Sequence, residues 1–391
     1  MPSSNDISLK TSIAGIALDC CVYNASGPRT GTAAALCKIA NSASGGVLAK
    51  SATCLEQRGN PLPRTWVSPE ASLNSEGLPN SGIDYYISSE NIMNAMMMNT
   101  TSSDTKKQQI AKPYMISISG KTLEDNVEMI KKVLNSTSSL SQIACLELNL
   151  ACPNVIGKPI IAYDFDQMET VLKTVANIPN IQKLKLGVKL PPYFDDPHFE
   201  MAASVLNKYS NVVQYVASIN TIGNALVIDV EAEMPFISSN GGFAGLSGPA
   251  VKHTALANVY KMRQLLNSSI DVVGVGGIES GQDVFEFLLC GASAVQVGTC
   301  HWREGPKCFD RICAELKQLL RTKGYKSSEE VQGKLVPWNK AAAAKSRAIA
   351  KKKSIKTTKK IRQPLIDHMD MMHALLMIVV AFLLADKVFH Q

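Results

Sequence analysis

Metal-binding spacings are missing from this sequence. Its ten cysteines (positions 20, 21, 37, 54, 145, 152, 290, 300, 308 and 313) include no C-x-x-C pair, and its six histidines make no H-E-x-x-H. No metal centre is expected, and most of the cysteines read as small buried hydrophobes in a reducing compartment. Met1 to Lys10 is polar and carries an acid, with neither a secretory apolar core nor an Arg-rich amphipathic pattern. A cytoplasmic location is therefore the expectation. No internal repeat is present. A basic body is missing too. Of the net charge of +7, ten Lys or Arg without any acid lie in residues 338–362, and residues 363–391 carry −2, which leaves −1 on residues 1–337. A near-neutral body argues against nucleic-acid binding.

What is present is enough apolar material, 46% of 391 residues, for a full core. Eight short apolar runs alternate with helical patterns: Cys21–Asn24, Val47–Lys50, Tyr114–Ile118, Cys145–Asn149, Leu184–Lys189, Tyr215–Asn220, Val272–Val275 and Ala294–Val297. Alternating strands and helices make parallel strands, and eight of them predict a (β/α)₈ TIM barrel over residues 1–337, with a doubly wound sheet as the alternative. Thr122 with Asp125, and Ser280 with Asp283, are capping-box starts, and Gly291 is a helix stop. Residues 88–110 read as a long, partly helical connection. Asn24, Lys50, Asn149, Lys189 and Asn220 close their strands with polar groups, and the last two strands run into Gly276 and Gly298. In a TIM barrel the C-terminal strand ends form the active face, so these residues are expected to share one site.

Four constellations carry chemistry. Gly274-Val-Gly-Gly-Ile278 and Val297-Gly-Thr299 lie after strands seven and eight, the usual phosphate site of this fold; they read as a phosphate cradle or as two tight turns. Glu147-Leu-Asn-Leu-Ala-Cys-Pro-Asn154 holds a cysteine that could act as a base, or simply precede a turn proline. Asn74-Ser-Glu-Gly-Leu-Pro-Asn80 offers backbone N–H groups to a carboxylate, or is a surface turn. Lys189, closing a buried strand, needs an anionic partner such as a ligand phosphate or a reduced flavin.

Over residues 7 to 335 the sequence resembles the class 1A dihydroorotate dehydrogenases. The resemblance rests on Asn24-Ala-Ser-Gly27, Lys50-Ser51, Gly59-Asn-Pro-Leu-Pro-Arg64, Asn74-Ser-x-Gly-Leu-Pro-Asn80, Asn149-Leu-x-Cys-Pro-Asn154, Asn220-Thr-Ile-Gly-Asn224 and Gly274-Val-Gly-Gly-Ile278. It implies oxidation of (S)-dihydroorotate to orotate in pyrimidine synthesis, FMN as carrier, fumarate as acceptor and a homodimer. It implies that Ala25, Ser26, Gly27, Lys50, Ser51, Asn149, Lys189, Thr221, Gly248, Gly276, Gly277, Gly298 and Thr299 hold FMN. Lys50, Asn74, Gly77, Leu78, Asn149, Asn154, Asn220 and Thr221 would hold the pyrimidine, whose alternating donors and acceptors suit asparagine amides. Cys152 would be the base, and Lys50 the second catalytic residue. An NAD-linked form with an iron–sulfur partner subunit, and a tail-tethered flavin-binding scaffold without catalysis, are the alternatives. Four residues depart from the family pattern: Glu76 stands where relatives carry methionine, Ala151 where they carry serine, and Ala244 and Ser247 where they carry glycine.

The tail lies outside the resemblance. Residues 338–362 read as a basic Ala/Lys-rich linker and residues 363–391 as an apolar C-terminal tail. The twelve residues from Ala374 to Ala385 would span about 18 Å as a helix, short of the ~30 Å hydrocarbon core. A helix lying on a membrane surface or a partner is expected, with membrane association through residues 371–385. A short anchor and a disordered extension are the alternatives.

Overall fold

The computed structural model describes residues 7–97, 112–151, 160–344, 346–347, 371–373 and 375–376. Eight strands carry runs of buried residues: β1 Val22–Asn24, β2 Val47–Ala52, β3 Tyr114–Ile118, β4 Ile143–Asn149, β5 Leu186–Leu190, β6 Val213–Ser218, β7 Asp271–Val275 and β8 Ala294–Val297. They pair in parallel in the order β1-β8-β7-β6-β5-β4-β3-β2. Each is followed by a helix that packs on the outside: α1 Ala33–Ala40, α2 Ser89–Met96, α3 Leu123–Asn135, α4 Phe165–Ala176, α5 Asp196–Lys208, α6 Lys252–Leu265, α7 Gly281–Leu289 and α8 Lys307–Lys323. This is a (β/α)₈ barrel. α3 and α7 start on the two expected capping boxes, and Gly291, at φ 98°, follows the end of α7.

Closure of the barrel rests on one side chain and one backbone hydrogen bond. β1 and β2 stand at the two ends of the ladder order. The amide of Asn24 bridges them, donating to Leu48 O at 2.6 Å and accepting from Leu48 N–H at 3.0 Å. It thereby imitates the backbone of a missing ladder rung. Just below, Gly45 N–H donates to Val22 O at 2.8 Å. A Cβ on Gly45 would stand 1.8 Å from Cys20 O, so only glycine lets the two chains approach there. Asn24 is fully buried. It is not one of the cavity-lining residues described below, so its expected place in the shared site is corrected: its polarity serves the seam.

Among the described residues the barrel's hydrophobic core has two parts, and a third, small cluster of Leu73, Ile237 and Ala244 is separate from it. One lies between sheet and helices. The other fills the barrel interior, where Tyr23, Leu48, Met115, Cys145, Tyr215, Ala217, Val273 and Ala294 meet Ile13 and Leu18. The last two belong to an antiparallel hairpin, Thr11–Ile13 with Ile16–Leu18. Its turn residues Ala14 and Gly15 take left-handed φ values of 51° and 74°, as a two-residue hairpin requires. Ala14 N–H donates to Asp271 at 2.8 Å, fixing the hairpin under the N-terminal start of β7. The barrel is therefore plugged at the N-terminal ends of its strands.

The insertions after β2 and β6 meet in a four-stranded antiparallel sheet, in the order Ile222–Ala225, Ala244–Ser247, Ser72–Asn74, Thr65–Val67. None of these four strands is among the eight expected runs, and the expected run Tyr215–Asn220 overshoots β6, whose ladder ends at Ser218. Of the connection 88–110, residues Ser89–Met96 are helical and residues 98–110 lie outside the described residues. The chain divides into the units Met1–Leu335 and Val336–Gln391. In the second, residues 340–344 are helical. Among the described residues, no helix is long and apolar enough to cross a membrane. The apolar run 374–385 lies, apart from Leu375 and Leu376, outside the described residues.

Replacing the seam amide by a group of similar size that cannot hydrogen-bond, Asn24→Leu, leaves a buried N–H and a buried C=O without partners. The expected cost is about 2–4 kcal/mol of folding stability, read from urea unfolding. A loss below about 1 kcal/mol, the ordinary net value of one hydrogen bond, would show that the seam closes without it.

Candidate active site

Because side chains alternate along a strand, every second residue of the barrel points inward. At the C-terminal ends this brings Lys50 of β2, Ser117 of β3, Glu147 and Asn149 of β4, Lys189 of β5 and Gln296 of β8 to one cavity of about 1180 Å³, counting its open mouth. Three of these are polar groups joined in a chain. Lys189 Nζ donates to Gln296 Oε1 at 2.7 Å, and Gln296 Nε2 donates to Glu147 Oε2 at 2.6 Å. Tyr215 OH donates to the same carboxylate oxygen at 3.3 Å, and Tyr23 OH accepts from Gln296 Nε2 at 3.2 Å. Burial pushes the Lys189 ammonium below its usual range, and the Glu147 carboxylate opposes that shift. Burial first, then neighbouring negative charge, holds the Tyr23 and Tyr215 phenols well above theirs, so both act as neutral hydroxyls. Beneath them Cys145 is pushed up to about 12 by burial and stays a thiol.

The walls come from loops. On one side Ser26, Ser51 and Ser117 form a hydroxyl chain with steps of 3.0 and 2.8 Å. On the other, Asn220 Nδ2 donates to Asn149 Oδ1 at 3.2 Å and to Ala151 O at 3.3 Å, while Asn220 Oδ1 accepts from Thr221 N–H at 2.8 Å. One end is lined by Gly248, Gly276, Gly277, Gly298 and Thr299. Gly277 must be glycine: φ is 70°, and a Cβ would lie 2.7 Å from Lys252 Cβ. Thr299 shares a hydrogen bond with Ser72 of the accessory sheet at 2.9 Å, so that sheet is fastened over the glycine end.

Among the described residues, three acids border the cavity and none faces it unopposed. Glu147 is held as described. Glu279 is paired with Arg303, which also donates to Pro69 O at 2.7 Å. Glu76, the departure that would set a charge beside an anionic ligand, pairs with Arg64, whose Nε lies 3.7 Å from its Oε1. Arg64 is itself anchored on Arg58 O and Asn60 O at 2.9 and 3.2 Å. Lys50 and Lys189 supply the ammonium groups among the residues that line the space between.

The structure brings nearly all the expected site residues to this wall. Ala25, Ser26, Gly27, Ser51, Asn74, Leu78, Asn149, Asn220 and Thr221 join the two lysines and the glycine end. Gly77 makes the turn between Glu76 and Leu78, at φ 67°, and is the one described member of the set outside the wall. Cys152 and Asn154 lie outside the described residues. Glu147, Gln296, Ser117, Ser72 and Trp302 were not anticipated. Glu147 and Gln296 could have been: each stands two residues before an expected site residue, Asn149 and Gly298, and so shares its inward face.

A barrel plugged at one end, with a polar cavity reached by two buried lysines at the other, places ligand-binding groups on the face where enzymes of this fold carry their active sites. The comparisons with known proteins are specific. The family profile described as dihydroorotate dehydrogenase matches residues 8–320. A protein of Streptococcus agalactiae named putative dihydroorotate dehydrogenase A (fumarate) is 42% identical over 329 residues, 84% of this chain and 99% of that one. The dihydroorotate dehydrogenase (fumarate) of Saccharomyces cerevisiae is 45% identical over 313 residues, 80% of this chain and 93% of its own. Among solved structures, a dihydroorotate dehydrogenase of Eimeria tenella in complex with ferulenol superposes with a TM-score of 0.65 at 20% identity, covering 85% of this chain and 90% of that one; this likeness bears on the fold. The chain belongs to the dihydroorotate dehydrogenase family, in the class 1A branch that the yeast and streptococcal relatives represent.

Proposed function

We propose that the chain oxidises (S)-dihydroorotate to orotate in pyrimidine synthesis, with FMN as carrier and fumarate, reduced to succinate, as acceptor. The carrying observation is that two buried lysines and two mutually bonded asparagines face one glycine-ended cavity. That donor set fits FMN: glycine backbone for the phosphate, ammonium groups for the electron-rich ring, amides for its polar edge. Bound FMN supplies the acceptor for the C6 hydride. The glycine end, Gly248, Gly276, Gly277, Gly298 and Thr299, would hold its phosphate. Lys189 and Lys50 would stabilise negative charge, and Ala25, Ser26, Gly27, Ser51, Asn149 and Thr221 would fix the ring. Asn74, Leu78, Asn149, Asn154 and Asn220 would hold the pyrimidine. Cys152 would take the C5 proton as its thiolate, so flavin reduction should speed up as pH rises toward the ordinary thiol pKa of about 8.5. The "(fumarate)" in the relatives' names favours that acceptor over NAD.

Two features outside the cavity extend the proposal. The hairpin Ile228–Asp229 with Met234–Pro235 exposes Ile228, Val230 and Met234 beside exposed Leu226 and Phe243. An apolar patch of this kind supports a homodimer. Residues 338–362 would serve as a basic linker to an apolar tail that holds the enzyme at a cytoplasmic membrane surface.

Purified protein should be yellow, with one FMN per chain. Dihydroorotate should bleach it anaerobically and fumarate, not NAD, should restore the colour; recovery with NAD alone would reverse the choice of acceptor. Cys152→Ala should bind orotate yet reduce flavin about 10²–10⁴-fold more slowly, as loss of a general base does. An undiminished rate would place the base elsewhere.

The rim acids give a second test. Glu76→Met should keep or improve orotate affinity, while Arg64→Leu, which uncovers the Glu76 charge, should weaken it about 10-fold. The double variant should recover most of that loss. Equal losses in Arg64→Leu and the double variant would mean that Arg64 acts on the ligand without Glu76.

The tail gives a third. A chain ended after Pro337 should keep its activity and lose binding to anionic vesicles, because each Lys or Arg near such a surface contributes about 1 kcal/mol. Full-length protein that ignores the vesicles would remove the membrane role.

A further inference from the structure

Gln296 is fully buried, and its side chain stands between the only two oppositely charged groups of the polar chain described above, Lys189 and Glu147. Its orientation is forced. A carboxylate can only accept, so the amide must turn its NH₂ to Glu147, and its oxygen is then left facing an ammonium that can only donate. Tyr23, accepting from the same NH₂, and Tyr215, donating to the same carboxylate, agree with that polarity. The arrangement solves a specific problem. A buried ammonium needs compensation, but a carboxylate in contact with it would absorb its field. With one amide between them, Glu147 still favours the charged form of Lys189, while the amide contact carries only a partial charge.

We propose that Gln296 is a positioning residue: it holds Lys189 at the cavity floor through a neutral relay to Glu147, so that the ammonium's charge remains directed at the ring of the bound flavin. The inference rests on the FMN reading above and adds to it a residue that fixes how strongly negative charge on that ring is stabilised. Gln296 touches neither substrate nor reacting atoms in this role.

The test exchanges the two side chains. In E147Q/Q296E the carboxylate sits directly on Lys189 and the amide beyond it, with composition, volume and net charge unchanged. Sulfite binding to the flavin, followed by bleaching, and the flavin midpoint potential both read positive charge near the ring without turnover. The swap should retain FMN, weaken sulfite binding about 10-fold and move the potential to more negative values. Sulfite affinity within about twofold of the wild type in an FMN-loaded swap protein would overturn the inference. Should the swap not fold, Q296M carries the test in a double-mutant cycle with K189M. Q296M should weaken sulfite binding by itself and have no further effect once Lys189 is gone. Equal losses in both backgrounds would mark a merely structural role and overturn the inference. A wild-type protein that takes up no FMN would instead overturn the underlying reading, and the inference with it; a yellow wild type with additive variants overturns the inference alone.

Discussion

Charge inside a closed barrel governs this structure. Lys50 and Lys189 are buried at the C-terminal strand ends, less than a tenth exposed, where an ammonium loses most of its hydration and must be compensated by protein. For Lys189 the compensation comes through Gln296 from Glu147, and it reaches across from β5 to β8 and β4. The interior polar groups are therefore coupled in a way that the apolar layer beneath them is not. Tyr23 and Tyr215 have their rings in that apolar layer and their hydroxyls in the polar one. They form the boundary between the part of the barrel that holds the fold and the part that holds charge. Cys145, within 3.7 Å of Tyr215 OH, falls below the boundary and is left a neutral thiol.

Such an interior works only if the barrel shuts. The N-terminal hairpin fills one end, and the Asn24 amide joins β1 to β2. The C-terminal end is treated differently. There the accessory sheet is tied to the glycine end by Ser72 and Thr299, and it brings Asn74 and Ser247 to the cavity. The fixed parts of the site are thus strand ends, and the parts that define its mouth are loops and short antiparallel strands. This division follows the general logic of the fold, in which the strands supply a scaffold and the loops supply specificity.

The eight barrel strands were legible because parallel strands covered on both faces read as continuous apolar runs. Their ends were less so. Ile219 prolongs the apolar pattern of β6 although the ladder stops at Ser218, and composition carries no mark of that difference. Asn24 looked like Asn149 and Asn220, since a polar strand end is the same letter whether it meets a ligand or a neighbouring backbone. The accessory strands Thr65–Val67 and Ser72–Asn74, of three residues each, are too short to show a period of two. The candidate site was legible through family motifs more than through pattern. Lys189 was legible as a charged residue closing an apolar strand, whereas the residues behind it, Gln296 and Glu147, sit inside their strands and carry no such mark. Cys152 and Asn154, which the same motifs single out, lie outside the described residues.

Glu76 shows how a local departure from a pattern is absorbed by its surroundings. Read alone, a carboxylate beside an anion site repels the ligand. In the fold, Arg64 lies on the strand side of the same loop, with two backbone carbonyls fixing its guanidinium, and its Nε faces the carboxylate. A partly buried pair of this kind adds little to stability, because desolvation offsets most of the attraction. Its consequence is electrostatic. The pair presents to the cavity a dipole in place of a charge. The same arrangement recurs at the other end, where Arg303 covers Glu279 beside the glycine turns. Both arginines are braced by carbonyls of the loop after β2, through Arg58 and Asn60 in one case and Ser68 and Pro69 in the other. That loop therefore does two things at once: it builds the mouth of the cavity, and it sets the arginines that prevent the acids of the mouth from opposing an anionic ligand.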